Sequence, residues 1–234
     1  MRNFLIAAIF IISSTGLSNA QDIYQLRQAM DFFHTHQLQT GEWKKNLTES
    51  DIEGSPFLND EFINGTIFTT SKFQFVDIPL RYNIYNDNLE FKTPEGQTLA
   101  MAAPETIEKA EFGDYKMVYI LYINVKKIRR GFFKVLAEGQ ASLYAKPAIL
   151  YKEPEEAGAY KEAEPAKFIS RPDVHYIRIG MEPAKLVSNK KELIAAFPDY
   201  QEEVAAFIKK NKTKPNRPER LIELVGYYNS LVQN

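Results

Sequence analysis

Lys126-Lys127-Ile128-Arg129-Arg130 places four cations in five consecutive residues, between an apolar run ending at Ile123 and another beginning at Phe132. Like charges held this close repel one another, so the cluster suits either bulk solvent or a partner rich in phosphate or carboxylate. Two readings follow. As a solvated hairpin tip, the charges keep a sheet edge from pairing with other chains. As a binding site, Lys126, Lys127, Arg129 and Arg130 contact an anionic surface such as lipopolysaccharide or a phospholipid headgroup. A second cluster, Lys209-Lys210-Asn211-Lys212-Thr213-Lys214, closes a helical pattern, where cations complement the partial negative charge of the helix C-terminus.

Other reactive types are sparse. The histidines are His34, His36 and His175. His34 and His36 would share a face only in an extended chain; in the helical pattern around them they lie about 200° apart and cannot converge on a metal. Glu42 is the nearest third ligand, at no recognised zinc spacing. His175 stands alone in a strand pattern, as a structural residue does. There is no cysteine, which removes thiol chemistry, disulfides and thiolate metal sites. No Gly-x-Ser-x-Gly elbow is present: Ser142 follows Gly139-Gln140-Ala141, but Tyr144 stands where the second glycine would be. No phosphate-binding glycine loop occurs, and the carboxylate pairs Asp60-Glu61 and Glu155-Glu156 are sequence neighbours whose side chains diverge. No catalytic residue, metal ligand or cofactor is therefore assigned. Two alternatives stay open: a hydrolase whose carboxylates converge only in the fold, and a carrier of an apolar ligand in a groove lined by some of the 16 Phe and 13 Tyr.

The elements that must position these residues change period along the chain. Residues 21–53 form an N-terminal helical arm and linker, with Ile23, Leu26, Met30 and Phe33 at helical spacing. Residues 54–187 read as a β-rich domain of about eight or nine strands. In it Val76, Ile78, Leu80, Tyr82 and Ile84 alternate with polar neighbours, as in a half-buried antiparallel strand. Pro79 marks an edge or bulge there. Tyr115–Ile123 is apolar on both faces, as in a central strand covered on each side. Tyr82 and Tyr85 lie on opposite faces of one strand, so both can be core only if both faces are covered. Lys152–Glu164, rich in Glu, Ala, Lys and Pro, reads as a solvated loop. Residues 188–234 form a helical C-terminal unit packed on the sheet. Three capping patterns open its helices, at Asn189/Glu192, Asp199/Glu202 and Asn216/Glu219. Leu221, Leu224, Val225, Tyr228, Leu231 and Val232 form one apolar stripe in the last. The fold class expected is α+β: an antiparallel β-meander or curved sheet followed by short helices.

Residues 1–20 have the layout of an export signal: a basic head at Arg2, an apolar run Phe4–Ile12, and small residues at Ser18 and Ala20. Nine apolar residues span about 14 Å as a helix, short of the ~30 Å a bilayer core requires. Cleavage near Ala20 leaves 28 Lys+Arg against 30 Asp+Glu. That balance argues against a nucleic-acid partner. No later segment has 18 consecutive apolar residues, so no transmembrane segment is expected in the mature chain. The expected location is the periplasm or the medium.

Gly54-Ser55-Pro56-Phe57-Leu58-Asn59-Asp60-Glu61-Phe62, Pro79-Leu80-Arg81-Tyr82-Asn83-Ile84-Tyr85-Asn86-Asp87 and Tyr227-Tyr228-Asn229-Ser230-Leu231 resemble segments of an uncharacterised group of small exported proteins of Bacteroidota-type bacteria. The resemblance spans most of Gly54–Leu231 and implies a Gram-negative envelope location and a sheet with a helical tail. It brings no site residue with it. The sequence thus favours a non-catalytic binding or interaction protein of the envelope, with an envelope protein, glycan or lipid as partner.

Overall fold

A computed structural model describes residues 52–157 and 162–233. The expected signal (1–20), residues 21–51 of the expected arm and linker with His34, His36 and Glu42, residues 158–161 of the expected solvated loop, and residue 234 lie outside the described residues.

Ten strands form one antiparallel sheet: β1 (Ile63–Thr69), β2 (Gln74–Asn83), β3 (Asn88–Lys92), β4 (Thr98–Ala100), β5 (Ile107–Phe112), β6 (Tyr115–Asn124), β7 (Lys127–Ala137), β8 (Ala141–Lys152), β9 (Lys167–Ile179) and β10 (Lys185–Leu186). Their order is β10-β9-β8-β7-β6-β5-β1-β2-β3-β4, and the sheet curls into a half-barrel. This is not one meander. The chain runs outward from β1 to β4, crosses back through Met101, Ala103 and a 3-10 turn at Pro104–Thr106, and resumes as β5 on the other flank of β1. The crossing is held by burial: Met101 and Ala103 are 1% and 2% exposed, and Met101 N–H donates to the Leu89 carbonyl.

The curl has two cores. The first lies between β1, β2, β3, β5 and the near ends of β6 and β7, around Ile67, Leu80, Tyr82, Phe112, Met117 and Phe132. The second is aromatic. After β9 the chain returns to β6, where Ala184 N–H donates to Leu121 O and Ile123 N–H to Ala184 O. The path β6-β7-β8-β9-β10 therefore closes on β6 and encloses Tyr122, Phe133, Tyr144 and Tyr176, with ring centroids 5.1–6.2 Å apart. β6 is covered on both faces, by Met117 on one and Ile120 and Tyr122 on the other.

Three helices complete the chain: α1 (Lys190–Ala195), α2 (Gln201–Asn211) and α3 (Pro218–Val232). They bury Leu193, Val204, Ile208, Leu221, Leu224, Val225 and Tyr228 with Ala141, Leu143 and Ile177 of the sheet. The stripe on α3 is sealed through Tyr228, and loosens to 39% exposure at Val232. Of the three expected caps only Asn189 acts as one, accepting from the Glu192 N–H at 2.9 Å. α2 starts instead after Tyr200 in the left-handed region, and α3 after Arg217 with Pro218 in its first turn. Proline needs no N–H there and presets the helical φ, which makes the Asn216 side chain dispensable. At β2 the register shift falls opposite Gly65–Ile67, and the positive φ is at Asp77 rather than at Pro79.

Candidate functional site

The four cations occupy the free end of the β6–β7 hairpin. Only Lys126 lies in the turn; Lys127, Arg129 and Arg130 belong to β7, so the cluster is not a loop between strands but the last rungs of a ladder. Tyr122↔Arg129 and Asn124↔Lys127 pair on one face; Leu121↔Arg130 and Ile123↔Ile128 pair on the other. The hairpin thus has a polar, cationic face and an aliphatic one flanked by Arg130. Val125 and Lys126 close it with φ of 46° and 65°, both positive as a type I′ turn requires. All residues from Val125 to Arg130 are exposed, Val125 at 88% and Ile128 at 63%. Among the described residues none of the four cations forms an ion pair, whereas Lys72, Lys109, Lys116 and Lys134 elsewhere on the sheet each do.

At the base of this hairpin β7 and β8 part. They pair from Lys134↔Ala145 to Ala137↔Leu143, and no further towards the tip. Pro147, without an N–H, sits where β8 also shifts register against β9. The β2–β3 turn fills the gap. Asp87, at φ 50°, accepts from Tyr82 Oη at 2.7 Å, from the Phe132 N–H at 3.1 Å and from Lys146 Nζ at 2.8 Å. Lys146 also donates to the Phe132 carbonyl at 3.1 Å, and its ammonium lies 4.7 Å from the Phe133 ring centroid and 5.3 Å from that of Tyr122. Burial holds the lysine below its ordinary pKa, and Asp87 offsets part of that fall. Burial, then the Asp87 charge and hydrogen bond, push the Tyr82 phenol far up, so it stays a neutral donor. With the ammonium committed to Asp87 and to Phe132 O, this is a structural ion pair and not a poised nucleophile. Its value is that Phe132, which has lost its β8 neighbour, keeps both backbone groups satisfied.

A cleft of about 240 Å³ is lined by Gly54, Ser55, Pro56, Phe57, Asp60, Arg81 and Phe168. It lies below the roughly 300–1,000 Å³ of sites that hold drug-sized ligands. The Arg81 guanidinium is tied down within it, 2.8 Å from Glu90 and 3.3 Å above the Phe57 ring. Among the described residues no three or more His, Asp or Glu side chains gather as a metal site. Asp60 and Glu61 are exposed; Glu155 pairs with Lys152 at 2.8 Å. His175 is 7% exposed, and its imidazole is held below the ordinary histidine pKa chiefly by burial. Tyr82 is fully buried, whereas Tyr85 is 53% exposed and packs against Tyr151 and Phe168.

Sequence reasoning singled out the four cations but gave Val125 and Lys146 no role, and named Asp87 only within the segment Pro79–Asp87 that carries the resemblance. Asp87 and Lys146 lie 59 positions apart, and only Pro147 hints that β8 needs an outside partner here. Comparison with protein-family models, with curated proteins and with solved structures finds no match to this chain.

Proposed function

We propose that this chain is an exported, non-catalytic binding protein of the bacterial envelope, one of the group it resembles, and that it docks on an anionic partner through the β6–β7 tip. The observation that carries this reading is the set of four exposed cations at one end of one hairpin, without an ion-pair partner among the described residues, on a chain whose overall charge is −1. The export-signal layout of residues 1–20 supports an envelope setting, where phosphate-bearing lipids supply such a surface. Each cation near an anionic membrane contributes about 1 kcal/mol, so the four together give about 4 kcal/mol, a millimolar affinity that salt screens readily.

The test is sedimentation with phosphatidylglycerol vesicles against phosphatidylcholine vesicles at low and physiological salt. The variant to compare carries Lys126→Gln, Lys127→Gln, Arg129→Gln and Arg130→Gln together. Binding to the anionic vesicles that weakens with salt and disappears in the variant is expected. Equal binding by both proteins, or no binding by the native one, overturns the reading.

A further inference from the structure

We infer that the anionic partner is a lipid bilayer and that the hairpin tip inserts into it, with Val125 and Ile128 entering the acyl region while the four cations hold the headgroups. This rests on the anionic-partner reading above and adds the apolar half of the contact.

The argument starts from what the turn costs. A type I′ turn favours Asn-Gly or a similar pair, because both central residues need φ above zero. Here Val125 takes the first position at φ 46°, a conformation in which a β-branched residue is an outlier. Backbone strain of this kind persists where function holds it, and packing does not explain it here. Val125 is 88% exposed, more than any other large hydrophobic side chain among the described residues, so the strain stabilises nothing within the fold.

The neighbouring residues extend the same face. Ile123 pairs with Ile128 directly across the hairpin, Leu121 pairs with Arg130 behind them, and Ile128 is 63% exposed. Four aliphatic side chains, Leu121, Ile123, Val125 and Ile128, therefore line one face up to the tip. Arg130 flanks that face, Lys126 sits in the turn, and Lys127 and Arg129 stand on the opposite face of the same hairpin end; their long stems let ammonium and guanidinium groups stay at headgroup level while the tip goes deeper. Each strand residue advances about 3.3 Å, so Ile123 to the turn reaches roughly 7–10 Å, the depth at which interfacial elements settle. A soluble polyanion would engage the cations and leave these aliphatic groups in water; a bilayer satisfies both sets.

The chain contains no cysteine, so a single one can carry an environment-sensitive fluorophore. The full mature chain with Val125→Cys, labelled with a nitrobenzoxadiazole dye, is mixed with phosphatidylglycerol vesicles. The control is Asp114→Cys in the β5–β6 turn, exposed at the opposite end of β6. A blue shift at position 125, with quenching by nitroxide-labelled acyl chains and neither effect at position 114, is the expected result. Vesicle binding with an aqueous dye at position 125 would overturn insertion while leaving the anionic reading standing. No vesicle binding at all removes both.

Val125→Gly gives an independent readout. It relieves the turn, so thermal stability should rise or hold, while vesicle affinity falls about tenfold as one aliphatic side chain is lost from the contact. A glycine variant that binds as tightly as the native protein overturns the role of Val125.

Discussion

Asp87 and Lys146 meet at 2.8 Å in the gap where β7 and β8 cease to pair, and between them they satisfy the N–H and C=O of Phe132. The ion pair thereby replaces two rungs of a sheet ladder. It also joins the two cores, since Asp87 comes from the β2–β3 turn of the first and Lys146 projects over the aromatic rings of the second.

Removing Asp87 therefore costs more than removing Lys146. Asp87→Ala strips the acceptor from Tyr82 Oη, the Phe132 N–H and Lys146 at once, whereas Lys146→Met leaves Asp87 still serving the first two. The Asp87 side chain is 31% exposed, so water replaces part of the loss. The expected destabilisation is about 2 kcal/mol for Asp87→Ala and about 1 kcal/mol for Lys146→Met, read from urea unfolding midpoints. Values below about 0.5 kcal/mol for both would mean that the gap between β7 and β8 is simply hydrated.

How much of this was legible depends on the range over which each feature is specified. The double-faced burial of β6 shows as a nearly unbroken apolar run and the stripe on α3 as a helical period, and both are visible within one segment. The β4-to-β5 crossing is not: nothing local tells β5 to return to β1 rather than pair with β4. The caps divide along the same line. Asn189 works because its partner, Glu192, is three residues away. Asp199 and Asn216 have equivalent patterns but are overruled, by Tyr200 in a left-handed conformation and by Pro218. The cations could be found by composition alone. Their meaning required the pairing that sets Ile123 beside Ile128, and the ion pair at the hairpin's base required the fold.

The segment Glu53–Leu58 straps β9 to β2: Phe168 N–H donates to Glu53 O at 2.8 Å, and Ile84 N–H to Pro56 O at 2.8 Å. Gly54 is its tight point, with φ +80° and a substituent Cβ placed 2.5 Å from the Phe168 carbonyl oxygen. Gly96 has almost the same φ, +83°, and nothing within 4 Å. Gly96→Ala isolates the cost of the left-handed backbone, about 1 kcal/mol, while Gly54→Ala adds a backbone clash and should cost about 3 kcal/mol. Hydrogen exchange at the Phe168 amide should accelerate only in Gly54→Ala. Equal losses in the two variants would show that the strap yields freely.

Asn229 pins α3 to the start of β8. Its side chain accepts from Ala141 N–H at 2.7 Å and donates to Ala141 O at 2.9 Å, standing in for a neighbouring strand. Ala141 is fully buried, so Asn229→Ala leaves both of its backbone groups without partners. A loss of about 2 kcal/mol is expected, with the Ala141 amide becoming exchange-labile. Retained protection at Ala141 would mean that another group takes over both bonds.

His175 gives the fold a pH dependence whose sign follows from its surroundings. Burial lowers its pKa, with Lys134 acting the same way; the Pro215 backbone, Asp173 and Glu219 pull it back only in part. The native imidazole therefore stays neutral at a pH where the unfolded chain, near the ordinary histidine value of about 6.5, already binds a proton. As pH falls through that window the unfolded state gains protons that the native state refuses, so stability declines, and the decline from this group ends once the native imidazole also titrates. His175→Gln removes the difference. Between about pH 7.5 and pH 5 the urea midpoint of the native protein should fall more steeply than that of the variant. Parallel curves, or a native protein that gains stability towards acid relative to the variant, would contradict a buried neutral His175.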